Sequence, residues 1–298
     1  MVNPTILLTG SNGFIGRHVC DYLKQKGCFV IGLGRQSKSV ADVDEYLNVD
    51  LDTDAIFDFV PKKQITAVLH LASDMRREPH NVEVVRANCT GVQRLINFCV
   101  TNNIQTFLQL SSLPVIGSPK IHPITEQHPL CPPSVYHSTK VMGELLADYA
   151  MRKNGIRTAS FRIPSPVGIG MNERTIFPIF VRKAINNEDI TIYGKGTRQQ
   201  TYIHVDDISQ ALYKAMNSEH CKGVYNLASY NCISNIELAR KCVSLLESKS
   251  NIVFNGLPDS SDDEIWDVCI DRLMADTGFK PQISLDYCIT EIAKYFKQ

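Results

Sequence analysis

Short apolar runs alternate with longer stretches whose apolar residues recur every three or four positions. Residues 5–9 are a strand candidate, and residues 17–26 have helical spacing through Val19, Tyr22 and Leu23, with Gly27 as the stop. Residues 29–33 predict a second strand, 55–60 a helix, and 67–72 a buried parallel strand. Residues 82–100 read as a longer helix through Val84, Val85, Val92, Leu95, Ile96 and Cys99. A strand at 106–110, a long helix at 136–154 and a strand at 157–163 continue the rhythm. Strands with so few polar breaks suit a sheet covered on both faces, and the strand–turn–helix–strand opening is half of a mononucleotide-binding unit.

Beyond Ile163 the pattern changes. Pro164 and Pro166 interrupt it, and 175–186 read as a helix. A short strand at 189–193 ends in Gly194-Lys195-Gly196. Strands at 202–205 and 224–227 flank a helix at 205–216, and helices at 235–246 and 285–295 follow. The expected fold is α/β: a Rossmann-like, doubly wound parallel sheet with a smaller, interleaved α/β substrate-binding lobe. Residues 1–163 form the dinucleotide-binding part, to which 200–228 return; 164–199 and 229–298 form the lobe.

Composition narrows the partners. The chain has 298 residues, with 31 Lys plus Arg against 31 Asp plus Glu, so no net charge draws it to nucleic acid. No apolar run is long enough to span a bilayer. The first residues enter a strand without a basic leader, and none of the 10 cysteines forms a Cys-x-x-Cys unit. The expectation is a cytoplasmic protein with reduced thiols and no metal centre.

Chemistry concentrates in two places. The turn Gly10-Ser11-Asn12-Gly13-Phe14-Ile15-Gly16 directly follows the first strand. Gly10 permits the bend, Gly13 lets a pyrophosphate approach the backbone, and Gly16 lets the helix pack on the sheet. A nicotinamide dinucleotide is the expected ligand. At the end of the second strand, where Asp or Glu would hold a free 2′-hydroxyl, the chain has Arg35, Gln36, Ser37 and Lys38. Arg35, Ser37 and Lys38 suit a 2′-phosphate, unless the two cations are merely solvated loop charges. NADP(H) is therefore preferred, with NAD(H) as the alternative. Asp50 and Leu51 are placed to meet the adenine.

The second place is Tyr136 with Lys140, one helical turn apart, and Ser112 after an apolar strand. A lysine ammonium favours the phenolate of a nearby tyrosine, and a serine hydroxyl at the sheet edge can orient a substrate oxygen. In isolation the pair would be an amphipathic helix with a half-buried tyrosine. His70 reads as structural, and His204-Val205-Asp206-Asp207 as a strand end and helix start capped by an aspartate.

Taken in order, these pieces resemble the extended short-chain dehydrogenase/reductase family, in its nucleotide-sugar epimerase, dehydratase and reductase group. The matching residues are Gly10, Gly13 and Gly16; His70-Leu71-Ala72; Asn88 with Thr90-Gly91; Ser111-Ser112; Tyr136 and Lys140; Arg162 with Pro166-Val167-Gly168; and 202–207. The resemblance implies Tyr136 as general acid/base, Lys140 as its electrostatic partner and ribose anchor, and Ser112 as ligand of the reacting oxygen. It implies cofactor contacts at Asn12, Phe14, Ile15, Leu71, Ala72, Ser73, Asn88 and Ser111, with Pro166 and Val167 walling the nicotinamide. A nucleotide-diphosphate sugar would meet Ser112, Ser165, Thr175, Phe177, Pro178, Tyr193 and Arg198. A homodimer would form through the helices at 84–100 and 136–154.

Departures from the family pattern bear on the reaction. The dehydratases carry Asp-Glu where this chain has Leu113-Pro114, so elimination of water lacks its acid and base. Ile116 stands where relatives have Tyr, Ser165 where they have Asn, and Gln200 where they have Arg; Arg198 is positioned to compensate. The expected activity is reduction of a 4-keto sugar nucleotide with Tyr136 as proton donor. The alternative is a 4-epimerase with tightly held NAD.

Overall fold

The computed structural model describes residues 3–52, 64–75 and 82–298; the helix expected at 55–60 lies outside them. Elements in chain order are β1 (Thr5–Thr9), α1 (Phe14–Gln25), β2 (Phe29–Gly34), β3 (Glu45–Asn48), β4 (Ala67–His70), α2 (Val82–Val85), a π-helical turn (Arg86–Thr90), α3 (Gly91–Thr101) and β5 (Thr106–Ser112). A 3₁₀ turn (Leu113–Ile116), α4 (Val135–Asn154), β6 (Arg157–Ile163), β7 (Ser165–Val167), α5 (Ile176–Ile185), β8 (Ile190–Ile192), β9 (Gln199–Gln200), β10 (Tyr202–His204) and α6 (Val205–Met216) follow. The chain ends with β11 (Gly223–Asn226), β12 (Ile233–Ser234), α7 (Asn235–Leu245), β13 (Ile252–Phe254), α8 (Asp271–Thr277) and α9 (Leu285–Phe296).

The large sheet has the order β11-β6-β5-β4-β1-β2-β3, and its neighbours all run parallel. Strand order reverses between β1 and β4, which are paired from Ile6↔Ala67 to Thr9↔His70. In open sheets of this kind the crevice at the reversal point is where ligands lie. Successive β1 side chains enter opposite cores. Ile6 and Leu8 pack with Val19 and Leu23 of α1 and Ile208 and Leu212 of α6. Leu7 packs with Val92, Leu95 and Ile96 of α3 and Ala147 and Ala150 of α4. Apolar residues at consecutive positions thus mark a strand buried on both faces, which is why alternation is absent from the sequence. A third core joins Phe177, Phe180 and Val181 to Tyr202, Leu238, Cys242, Ile289 and Ile292, between α5, α7 and α9.

Several elements differ from expectation. α1 begins at Phe14 rather than at residue 17, because it springs straight from the glycine turn, with Arg17 N donating to Gly13 O at 3.0 Å. The helix expected at 82–100 is interrupted by the π turn at Arg86–Thr90, which holds Asn88 buried. β4 stops at His70, and Leu71 to Met75 leave the sheet to line the crevice. The cap of α6 is His204, whose Nδ1 accepts from Asp206 N at 3.2 Å. Neither aspartate caps: Asp206 pairs with His18, and Asp207 accepts from the N–H groups of Gln282 and Ile283. Among the described residues no helix is long and apolar enough to cross a membrane, and no three His, Cys, Asp or Glu side chains gather to hold a metal ion.

Candidate active site

The glycine turn is built by exclusion. Gly10 has φ +72°, and a Cβ there would lie 2.7 Å from Ala72 N; a Cβ on Gly16 would lie 2.0 Å from Gly10 O. Gly13, by contrast, is exposed and caps α1 with backbone alone, with no side-chain cap and no acidic residue in the first turn. The α1 N-terminus is therefore open to an anion, with the helix dipole in its favour, which fits a dinucleotide pyrophosphate.

Asn12 has another task. Its Nδ2 donates to Gln36 Oε1 at 2.6 Å and Lys38 O at 3.0 Å, and its Oδ1 accepts from Ser39 Oγ and Val40 N. Tyr46 Oη, under Gly34, donates to Gln36 O at 3.0 Å. Asn12 and Tyr46 thus fasten the loop after β2 to the glycine turn. That leaves the exposed Arg35 on the cleft wall with no side-chain partner among the described residues.

The cleft has a volume of about 1380 Å³. Its walls include Gly10, Asn12, Gly13, Phe14, Ile15, Gly16, Arg35, Asp50, Leu51, Leu71, Ala72, Ser73, Asn88, Ser111, Ser112, Tyr136, Lys140, Pro166 and Val167 on the large-sheet side. Ser165, Thr175, Phe177, Tyr193 and Arg198 line its other end. Ser37, Lys38 and Pro178 do not line it. Lys38 contributes its carbonyl to Asn12, and Pro178 is buried within α5.

Ser112 ends β5, and Tyr136 and Lys140 stand on the first two turns of α4, capped by Ser134. Lys140 Nζ donates to Leu110 O at 3.0 Å and lies 5.7 Å from the centre of the Tyr136 ring. Burial pushes the ammonium down to about 8, against the pull of Glu144. Burial also raises the Tyr136 phenol, only partly offset by the neighbouring Ser73 hydroxyl. Lys140 thus stands beside the Tyr136 ring with its ammonium bonded to a carbonyl, and burial of the phenol works against its ionisation.

Buried polar networks fix this corner. Asn88 Nδ2 donates to Asp74 O and Thr139 Oγ1, each at 2.9 Å, and its Oδ1 accepts from Asp74 N at 2.8 Å. It therefore pins the loop after β4 to α4 beside Tyr136. Ser111 Oγ donates to Glu144 Oε1 at 2.6 Å, and Arg162 grips both carboxylate oxygens at 2.9 and 2.7 Å. His70 is structural as expected: it pairs with Thr9 Oγ1 at 2.7 Å, and burial pushes its pKa down to about 3.

Gln200, noted above as standing where relatives have Arg, lines the cleft, and so do Tyr46, Tyr202 and Asn235, which the sequence did not assign to it. Tyr202 opposes Ser165 in the β10–β7 pair, and Asn235 N donates to Arg198 O at 3.0 Å. Tyr202 Oη, Asn235 Oδ1 and Arg198 Nε are buried without a hydrogen-bond partner among the described residues; Glu264 Oε2 stays 3.8 Å from Arg198 Nε. Buried polar atoms are rarely left so. Tyr202 alternates with Ile203 like any core strand residue, and Asn235 follows a capping serine, so neither gave a distinctive signal.

A doubly wound sheet with a glycine turn at its reversal point and a tyrosine–lysine turn at its carboxyl edge defines the extended short-chain dehydrogenase/reductase class. The model of the NAD dependent epimerase/dehydratase family matches residues 6–228. The chain belongs to that family. It is 25% identical over 312 residues to the dTDP-4-dehydro-6-deoxyglucose reductase of Escherichia coli, across 97% of this chain and 96% of that one. Among solved structures, the UDP-N-acetylglucosamine 4-epimerase of Methanobrevibacter ruminantium M1, in complex with UDP-N-acetylmuramic acid, superposes with a TM-score of 0.89 at 23% identity, covering 100% and 99% of the two chains. MoeE5 in complex with UDP-glucose and NAD gives 0.82 at 23%, covering 98% of each. At these identities the structural likeness speaks for the fold.

Proposed function

We propose that this protein reduces the 4-keto group of a nucleotide-diphosphate sugar, with NADPH as the preferred reductant. One observation carries the reading: where a free 2′-hydroxyl would meet a carboxylate, the cleft wall is Arg35, held forward by the Asn12–Tyr46 tether and free of a partner among the described residues. A cofactor chosen by its 2′-phosphate suits exchange at each turnover. The upward push of burial on the Tyr136 phenol suits a proton donor. Leu113 and Pro114, beside Ser112, supply no acid–base pair for dehydration.

When bound, the reduced nicotinamide supplies hydride to the C4 carbonyl carbon. Tyr136 gives its phenolic proton to the carbonyl oxygen, which Ser112 orients by hydrogen bonding. The resulting phenolate is eased by the Lys140 ammonium and the Ser73 hydroxyl. Pro166 and Val167 wall the ring. At the far end, Arg198, Tyr202 and Asn235 take the substrate's diphosphate and neighbouring hydroxyls, replacing a cation at Gln200. Met142, Leu145 and Tyr149, exposed along α4 by 47%, 58% and 55%, offer the apolar face for a homodimer.

The test is consumption of NADPH or NADH with 4-keto sugar nucleotides of differing base. NADPH oxidation by protein purified without bound dinucleotide supports the reading. Retained NAD with interconversion of C4 epimers favours the second reading, a 4-epimerase, which the names of similar structures raise. Arg35→Ala should weaken NADPH binding by about 10- to 100-fold, the worth of a charge-assisted contact, and leave NADH unchanged. Arg198→Ala should raise KM for the sugar nucleotide by about 10- to 100-fold with a smaller change in kcat, as loss of uniform binding does.

A further inference from the structure

His18 lies on α1, two residues past Gly16 of the glycine turn, and both its ring nitrogens face acceptors. Nδ1 is 2.8 Å from Asp206 Oδ1 at the start of α6, and Nε2 is 2.9 Å from Ile169 O. A carboxylate and a carbonyl cannot both be satisfied by a neutral imidazole, which has one N–H. Ile169 belongs to the loop that follows the nicotinamide-wall residues Pro166 and Val167 and delivers Met171 and Asn172 to the cleft. The same face of α1 meets this loop twice more: a Cβ on Gly170 would lie 2.6 Å from the Arg17 guanidinium and 3.7 Å from the Phe14 ring.

We infer that His18 is a positioning residue, an imidazolium clamp that fixes the nicotinamide-side loop at 168–172 against the helix carrying the pyrophosphate turn. The inference rests on the reading of the cleft as a dinucleotide site. The charges around the ring agree. Burial opposes protonation, but the bonds to Asp206 and to Ile169 O outweigh it, with Asp21 adding to them, and the His18 pKa is raised. Asp206 is correspondingly lowered by His18. Arg17 is the neighbouring cation on α1. His204 lies on the far side of Asp206, 3.7 Å from Oδ2; its Nδ1 accepts the Asp206 N–H, so its proton sits on Nε2 and goes to Glu291 of α9. Tyr287 of α9 meets the His204 ring edge-on at 5.9 Å. Because the folded pKa is raised, the clamp is complete below the ordinary histidine value and is released as pH rises through the folded one.

Two substitutions separate the two contacts. His18→Gln places an amide N–H near the position of Nε2 and keeps the bond to Ile169 O at every pH. His18→Asn places one near Nδ1 and keeps only Asp206. NADPH and NAD are titrated calorimetrically from about pH 6 to about pH 9, spanning the histidine range, alongside NMR of the ring nitrogens. Wild-type affinity should weaken several-fold with rising pH, in step with the ring. His18→Gln should stay near the low-pH wild-type affinity throughout, and His18→Asn should be about five- to tenfold weaker at low pH, the worth of one hydrogen bond. Rescue by Asn but not Gln would make His18 a simple α1–α6 packing contact and overturn the inference. So would a wild-type affinity that stays flat while the ring titrates. If no dinucleotide binds any variant, the reading of the cleft falls. The ring spectrum then judges the clamp alone, and a singly protonated ring at pH 6 overturns it.

Discussion

Tyr136→Phe should lower kcat by about 10²- to 10⁴-fold, the usual worth of a positioned general acid, while dinucleotide affinity stays as in the wild type. The substitution removes one oxygen. It leaves the ring against His137, at 5.0 Å between centres, and does not touch the Lys140 bond to Leu110 O. Asn88, bonded to Thr139, still seats α4 on the loop after β4. Packing therefore survives, and the loss falls on proton transfer. Steady-state kinetics beside a fluorescence titration of the dinucleotide separate the two effects. Turnover within a few-fold of wild type would remove Tyr136 from the chemistry, and a parallel collapse of dinucleotide affinity would make it a binding residue instead.

Glu144→Ala should cost about 3–5 kcal/mol of stability, because it strands a guanidinium in the interior. Glu144 and Arg162 are 5% and 4% exposed, and their closest contact is 2.7 Å. The carboxylate also receives the Ser111 hydroxyl, so two strands, β5 and β6, and helix α4 meet on one side chain. Urea denaturation gives the magnitude. Glu144→Gln tests the charge, since it keeps the shape and one acceptor. If Ala is as stable as wild type, water has reached Arg162 and the pair does not hold the layers together. The pair also reaches the candidate chemistry. Glu144 lies one turn beyond Lys140 and is the charge that opposes its desolvation. Without it the lysine's pKa falls below about 8, so its ammonium form, present below that value and lost above it, is depleted at lower pH than in the wild type.

The large sheet was legible because its strands are apolar on both faces. β1 and β6 run from Thr5 to Thr9 and from Arg157 to Ile163, as their composition predicts, and α6 spans 205–216 as its spacing does. Elements that escaped are short or carried by tertiary contacts. β9 and β12 have two residues each, too few to show a period, and β13 is three residues long and partly exposed. The π turn is set by what Asn88 must reach, and propensity does not report that. In the cleft, the glycine turn and the Tyr136–Lys140 spacing were readable because both are local in sequence. Side chains supplied by separate segments were only partly so. Arg198 was read through the family resemblance, whereas Tyr202 and Asn235 join it only through strand pairing and a helix start. The upward shift of the Tyr136 phenol depends on burial, which a spacing of four residues does not encode.

The large sheet also constrains how the molecule is made. β11 completes the edge beside β6, pairing Gly223↔Ala159 through Asn226↔Arg162. Residues 164–222 must leave the ribosome before that partner does. Throughout that interval the growing chain presents the bare backbone of β6 to its surroundings, and such a border invites pairing with a neighbouring nascent copy. The last strand to join the sheet is thus the one that covers the free side of β6.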